Sequence, residues 1–100
     1  YFLKNNIEVL NFSSFNLNYD FEIAMVKPNH IIQTIREMNH EGSEAVFVSC
    51  TALRIVEVLQ KAEEKIKKTI ISSNQSMIWD SIRSININNK ISNFGKLLLN

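Results

Sequence analysis

The stretch AVFVS, Ala45 to Ser49, carries no polar side chain before its last residue. A short run this continuously apolar predicts a strand buried on both faces, as in a parallel sheet covered by helices. A parallel partner cannot be reached by a tight turn and needs a crossover, usually a helix. The chain must therefore supply helices on either side of AVFVS, and its periodicity does so.

Before the run, Pro28 suits the first turn of a helix, because its missing N–H is no loss there. Ile31, Ile35 and Met38 then fall on one face, with Ile32 beside them, and Gly42 suits the end. After the run, Leu53, Val56, Leu59, Ala62 and Ile66 recur at helical spacing and predict a helix from Ala52 to Ile66. Glu57/Lys61 and Glu64/Lys68 stand four apart in the favourable order. IEVLNF, Ile7 to Phe12, and TIIS, Thr69 to Ser72, read as further strands. SSFNLNYDFE reads as a loop. SSN, Ser72 to Asn74, offers caps for a last helix with an Ile78, Ile82, Ile85 stripe flanked by Trp79. The order β-α-β-α-β-α with short connections predicts an α/β fold: a three-layer parallel sheet with flanking helices and AVFVS as its central strand.

Composition narrows the function. Hydrophobic residues are 45% and charged residues 21%, so the chain packs rather than staying disordered. A net charge of +1 speaks against nucleic acid and membrane surfaces as partners. Lys61, Lys65, Lys67 and Lys68 alternate with Glu63 and Glu64, the pattern of a solvated helix face. No apolar run approaches the ~20 residues that span a bilayer. The lone cysteine excludes an intrachain disulfide, which fits a reducing, cytoplasmic location.

The ends carry a further expectation. YFLKNN reads as the last turn of a helix already under way, with Asn5 and Asn6 able to close it in the left-handed conformation. Residues 1–100 are thus expected to be a partial α/β domain of a longer protein. The 91–100 tail, with Phe94, Leu97, Leu98 and Leu99, has no obvious place in a three-strand core and is expected to dock on a missing lobe.

Cys50 is the chemical focus. It closes the AVFVS strand, and ligands bind outside the C-terminal ends of parallel strands. A helix starting near Ala52 would present free N–H groups and a positive partial charge, favouring a thiolate and holding a carboxylate. The loop with Asn16, Asn18, Tyr19 and Asp20 and the loop with Ser72, Ser73 and Asn74 are expected on the same rim. Against this stands the ordinary behaviour of a lone cysteine as a small buried hydrophobe. Ser73 and Asn74 are more often caps, and Asn18 to Asp20 more often turn formers. His30 and His40 have no metal partner at ligand spacing, and there is no Gly-rich phosphate loop.

EAVFVSCTALR (Glu44–Arg54), IISSNQSMIWDSIR (Ile70–Arg83) and ISNFGKLL (Ile91–Leu98) together resemble the C-terminal half of a maleate cis–trans isomerase. The wider group is the aspartate/glutamate racemase superfamily, with arylmalonate decarboxylase as a relative. The resemblance implies a two-lobed racemase-like fold with one cysteine from each lobe in a central cleft. It implies cofactor-independent conversion of maleate to fumarate, in which the first lobe's cysteine adds to the double bond and Cys50 is the catalytic acid/base. It also implies that Thr51, through its backbone N–H and that of Cys50, helps hold a substrate carboxylate. A polar residue after the first strand would assist, with Tyr19 in the nearest register and Asn18 one place away. The partners implied are a small dicarboxylate and the missing N-terminal lobe, with a homo-oligomer allowed. No cofactor and no metal are called for, and these residues alone are expected to be inactive. The alternatives are a racemase or decarboxylase of small carboxylic acids, or a non-catalytic α/β interaction domain in which Cys50 is core.

Overall fold

Two parallel strands form the sheet in the computed structural model, which describes residues 1–100. Strand β1 is Ala45–Val48 and strand β2 is Thr69–Ser72, with Val46 opposite Ile70 and Val48 opposite Ser72. Helices α1 (Asp20–Ala24) and α2 (Pro28–Met38) precede β1. Helix α3 (Leu59–Ile66) is the crossover between the strands, and α4 (Ser73–Ser84) leaves β2 without a break. Short 3-10 turns stand at Leu3–Asn5 and Leu97–Leu99. The fold is α/β, as the alternation requires.

The core lies on one face of the sheet. Ile31, Ile32 and Ile35 of α2 meet Leu59, Ala62 and Ile66 of α3 over Val46 and Ile70, with Leu53 and Ile55 closing the end. The opposite face is thinly covered. Phe47 is 47% exposed and meets only the edge of Phe2 among aromatic rings, 5.8 Å between centroids. AVFVS is therefore buried on one face, not two, and its strand has one neighbour rather than two.

The expected first strand is the reason. Ile7–Phe12 does not join the sheet, and Ile7, Val9, Leu10 and Phe12 are all exposed. One side-chain bond holds it, Asn11 Nδ2 donating to the Met38 carbonyl at 2.9 Å. Strand propensity describes a residue's fit to a pleated, half-buried surface, and without such a surface it makes no ladder.

Helix α3 is also shorter than expected. It begins at Leu59, and Thr51 to Val58 form turns instead. Leu53 and Ile55 are 5% and 1% exposed. Two residues apart on a helix they would point to nearly opposite sides, so burying both excludes a helix there. The two expected charge pairs fall with it. Glu57 pairs with Arg54 at 2.7 Å, and the Lys68 ammonium turns away to the His40 carbonyl and the Ser43 hydroxyl.

The tail folds onto its own chain. Leu98 is 4% exposed and is a core residue here, while Phe94 and Leu99 remain exposed. Glu63, itself buried, organises the contact: Oε1 accepts from the Ile70 N–H at 2.8 Å and Oε2 from the Lys96 N–H at 2.9 Å. The accessible surface is 7270 Å², with only 15 residues buried. A compact monomer of this mass exposes about 5,800 Å². Much of what is uncovered is apolar, including Phe12, Phe21, Met25, Ile78 and Ile85.

Candidate functional site

The register of the two strands brings two short segments together at one rim. Because Val48 stands opposite Ser72, the chain leaving β1 through Ser49 to Thr51 runs beside the first turn of α4. Ser72 caps that helix: its Oγ accepts from the Gln75 N–H at 3.3 Å and donates to Gln75 Oε1 at 3.1 Å. The two residues after the cap reach sideways. Ser73 Oγ accepts from the Cys50 N–H at 3.1 Å, and Asn74 Nδ2 donates to the Thr51 carbonyl at 3.0 Å. Gln75, 1% exposed, donates to the Phe94 carbonyl and so ties the tail to the same turn. Ser72 and Gln75 thus bond each other, while Ser73, Asn74 and Gln75 each reach a different residue outside the turn.

Cys50 has φ +125°, a backbone state that a residue with a side chain seldom adopts. Such a state costs about 1–3 kcal/mol and persists only where surrounding contacts impose it. Its side chain is half-buried and packs against the edge of the core.

The expected helix start near Ala52 is absent, so α3 lends Cys50 no terminus. The helix start beside Cys50 is that of α4. The Cys50 N–H is already committed to Ser73, and it is not free to bind a carboxylate. Thr51 is exposed, and the N–H groups of Thr51 and Ala52 donate to no acceptor within the chain. These two are the unengaged N–H groups that follow Cys50 at the strand end.

Asn18 and Tyr19 lie apart from this cluster in bonding terms. Both are exposed, and no hydrogen bond joins either side chain to Cys50 or Thr51. Tyr19 precedes α1 and stacks on Phe21 with centroids 5.7 Å apart. The bridging roles of Ser73 and Asn74 are not evident from the sequence, because polar residues after a strand read as caps whatever else they touch. The register of β1 on β2 was the missing information.

Three residues past Thr51, Arg54 and Glu57 form a bidentate pair at 2.7 and 2.9 Å. The hydrogen bond with Glu57, aided by its charge, raises the Arg54 guanidinium further. The hydrogen bond from Arg54 holds the Glu57 carboxyl below its ordinary range; loss of solvent opposes it, and the Arg54 charge adds a lesser lowering effect. No three His, Cys, Asp or Glu side chains gather as a metal centre would need, and no helix is long and apolar enough to cross a membrane. A groove of about 550 Å³ lies elsewhere, along α2 and α3 with Asn29, Gln33, Arg36 and Lys65 among its walls. It includes neither the thiol nor its neighbours, so the chemistry at the β1 end, not groove size, marks the candidate site.

The sequence model of the arylmalonate decarboxylase family matches residues 1–98. The chain belongs to the arylmalonate decarboxylase family. Curated relatives of this family member include the maleate isomerase of Alcaligenes faecalis, 22% identical over 99 residues, which cover 98% of this chain and 39% of the relative. The maleate isomerase of Geobacillus stearothermophilus matches to the same extent. The fold superposes on the maleate isomerase Iso of Pseudomonas putida with a TM-score of 0.89 at 18% identity, over 96% of this chain and 39% of that one. Arylmalonate decarboxylase itself superposes with a TM-score of 0.73 at 18% identity, over 85% of this chain and 39% of that one. The chain thus spans about two fifths of the length of these relatives, and at such identities the superpositions establish the fold.

Proposed function

We propose that the chain is one lobe of a two-lobed enzyme that interconverts the cis and trans forms of a small dicarboxylate, maleate to fumarate, with Cys50 as its acid/base thiol. The observation that carries this reading is the placement of Cys50. It ends a parallel strand at positive φ, tied to the first turn of α4, with unengaged N–H groups immediately after it. The likeness to maleate isomerases over nearly the whole chain supports the substrate.

The chemistry is balanced without a redox partner. A thiolate from the facing lobe adds to the alkene, and the electron pair moves toward the neighbouring carboxylate. Cys50 gives its proton to the carbon that gains the pair. The former double bond is now single and rotates. The Cys50 thiolate takes the proton back, and the added thiolate leaves with its electrons, so both thiols return to their starting state. The N–H groups of Thr51 and Ala52 hold the carboxylate while charge builds on it. Asn18 and Tyr19 contribute on this reading only if the facing lobe or the substrate draws their loop in.

A second reading follows from the family match: decarboxylation of an arylmalonate-type diacid, in which Cys50 protonates the carbon that loses carbon dioxide. One assay separates the two. A polypeptide carrying both lobes is incubated with maleate and, separately, with phenylmalonate, and fumarate and carbon dioxide are measured. Fumarate that disappears with Cys50→Ser supports the isomerase. Carbon dioxide without fumarate supports the decarboxylase. Maleate turnover by the 100-residue chain alone would refute the requirement for a facing lobe.

A further inference from the structure

We infer that Ser73 and Asn74 are positioning residues, which hold the Cys50–Thr51 turn in the geometry its thiol needs. The inference rests on Cys50 being the acid/base thiol, but its test does not depend on turnover.

Three observations carry it. First, the two bonds bracket the reacting residue. Ser73 takes the N–H on the N-terminal side of the Cys50 α-carbon, and Asn74 gives an N–H to the carbonyl of the next residue. Together they restrain the Ser49–Cys50 and Thr51–Ala52 peptide planes, one on each side of the Cys50–Thr51 pair. Second, Cys50 sits at φ +125°, which an unheld residue with a side chain would leave. Third, neither side chain is needed by its own helix. Ser72 already caps α4, and within a helix a serine's usual local bond is back to its own turn, whereas Ser73 bonds across to β1. The turn that carries both residues is itself anchored. Gln75 is buried, bonds Ser72 and holds the Phe94 carbonyl, and the β1–β2 register sets the distance.

The test uses the 100-residue chain and its single thiol. Alkylation of Cys50 by iodoacetamide is followed by mass spectrometry in wild type, Ser73→Ala, Asn74→Ala and Ser73→Thr. The core variant Ile70→Val serves as a control, with conditions adjusted so that all have the same unfolded fraction. Loss of one bond of ordinary strength should speed alkylation about fivefold over the control in Ser73→Ala and Asn74→Ala. Ser73→Thr, which keeps the acceptor oxygen, should return to the wild-type rate. Rates in both alanine variants equal to the control would overturn the inference, because a merely structural role affects only the unfolded fraction. A measurement on the unaltered chain covers the case in which the variants do not fold. The Cys50 amide should exchange its hydrogen at least about tenfold more slowly than those of Thr51 and Ala52, since it alone has an acceptor. Equal exchange would overturn the inference as well. If these results hold while no two-lobed polypeptide turns over maleate or phenylmalonate, the positioning stands and the catalytic reading falls.

Discussion

The backbone N–H of Cys50 donates to the hydroxyl oxygen of Ser73, 3.1 Å away, across two strand ends that are 23 residues apart in sequence. The bond has two consequences. It occupies the N–H that a strand-end cysteine would otherwise leave free. It also helps hold Cys50 at a φ of +125°, where only glycine rests without strain.

That strain predicts an inverted preference at position 50. At an ordinary site glycine is less stable than alanine by ~0.5–1 kcal/mol, through its extra freedom in the unfolded chain. Here Cys50→Gly should be the more stable of the two by about 1 kcal/mol, since alanine keeps the steric conflict that glycine lacks. Urea midpoints of Cys50→Gly and Cys50→Ala, with equal slopes, decide the matter. The usual order would mean that the backbone relaxes without cost.

Glu63 is expected to be the most sensitive acidic position. Each of its carboxylate oxygens accepts one backbone N–H, from Ile70 and from Lys96. Glu63→Gln keeps the shape but turns one acceptor into a donor that faces another donor. Leaving a buried N–H without its partner costs about 1–3 kcal/mol. Glu64→Gln, on the exposed side of the same helix, should change the urea midpoint little by comparison.

Gly95 has no room for a side chain. It sits at φ +83°, and an added Cβ would lie 2.2 Å from Leu59 Cδ2 and 3.2 Å from Glu63 Oε1. Leu59 is fully buried, so it cannot swing aside freely. Gly95→Ala should cost at least ~2 kcal/mol from overpacking and the positive φ combined. It should also loosen the 91–100 tail, seen as faster hydrogen exchange at the Lys96 amide.

The Arg54–Glu57 pair makes a small, acid-sensitive contribution. The folded chain holds the Glu57 carboxyl below its ordinary value of 4.5, chiefly through the Arg54 hydrogen bond. A group with a depressed folded pKa adds stability above its unfolded value and loses it as pH falls through the folded one. The difference in urea midpoint between wild type and Glu57→Gln should therefore be present near neutrality and vanish as the pH drops through and below that range. It should also shrink in high salt, because both groups are open to solvent. A difference that persisted in strong acid would assign the effect to packing rather than charge.

The uncovered apolar surface makes a prediction about association. Phe12, Phe21, Met25, Ile78 and Ile85 are all more than two fifths exposed, which is unusual for a stable monomer of 11.6 kDa. Purified chain should elute and scatter light as a species heavier than its monomer at high concentration, and dissociate on dilution. A strictly monomeric chain at all concentrations would show that these side chains need no cover.

Local chemistry alone determined a good part of this protein. Pro28 at a helix start, an isoleucine stripe, AVFV and TIIS as strands, Ser72 as a cap and Asn6 as a left-handed stop all stand where the sequence predicts. Each depends on neighbours a few residues away, through backbone sterics, capping or the period of apolar side chains. The resemblance carried by SCT-x-LR and SSNQ likewise identified the family before any geometry.

Only the tertiary structure decided the rest. Helix α3 starts at Leu59 because the core takes in both Leu53 and Ile55, which no helical periodicity permits. Ile7–Phe12 has strand composition but stays outside the sheet, because a ladder needs a partner edge and composition supplies none. Leu98 is core because Gln75 and Glu63 draw the tail inward. Ser73 meets Cys50 because β1 and β2 pair with Val48 opposite Ser72, and a strand's register is a long-range choice that a one-residue slip would reverse.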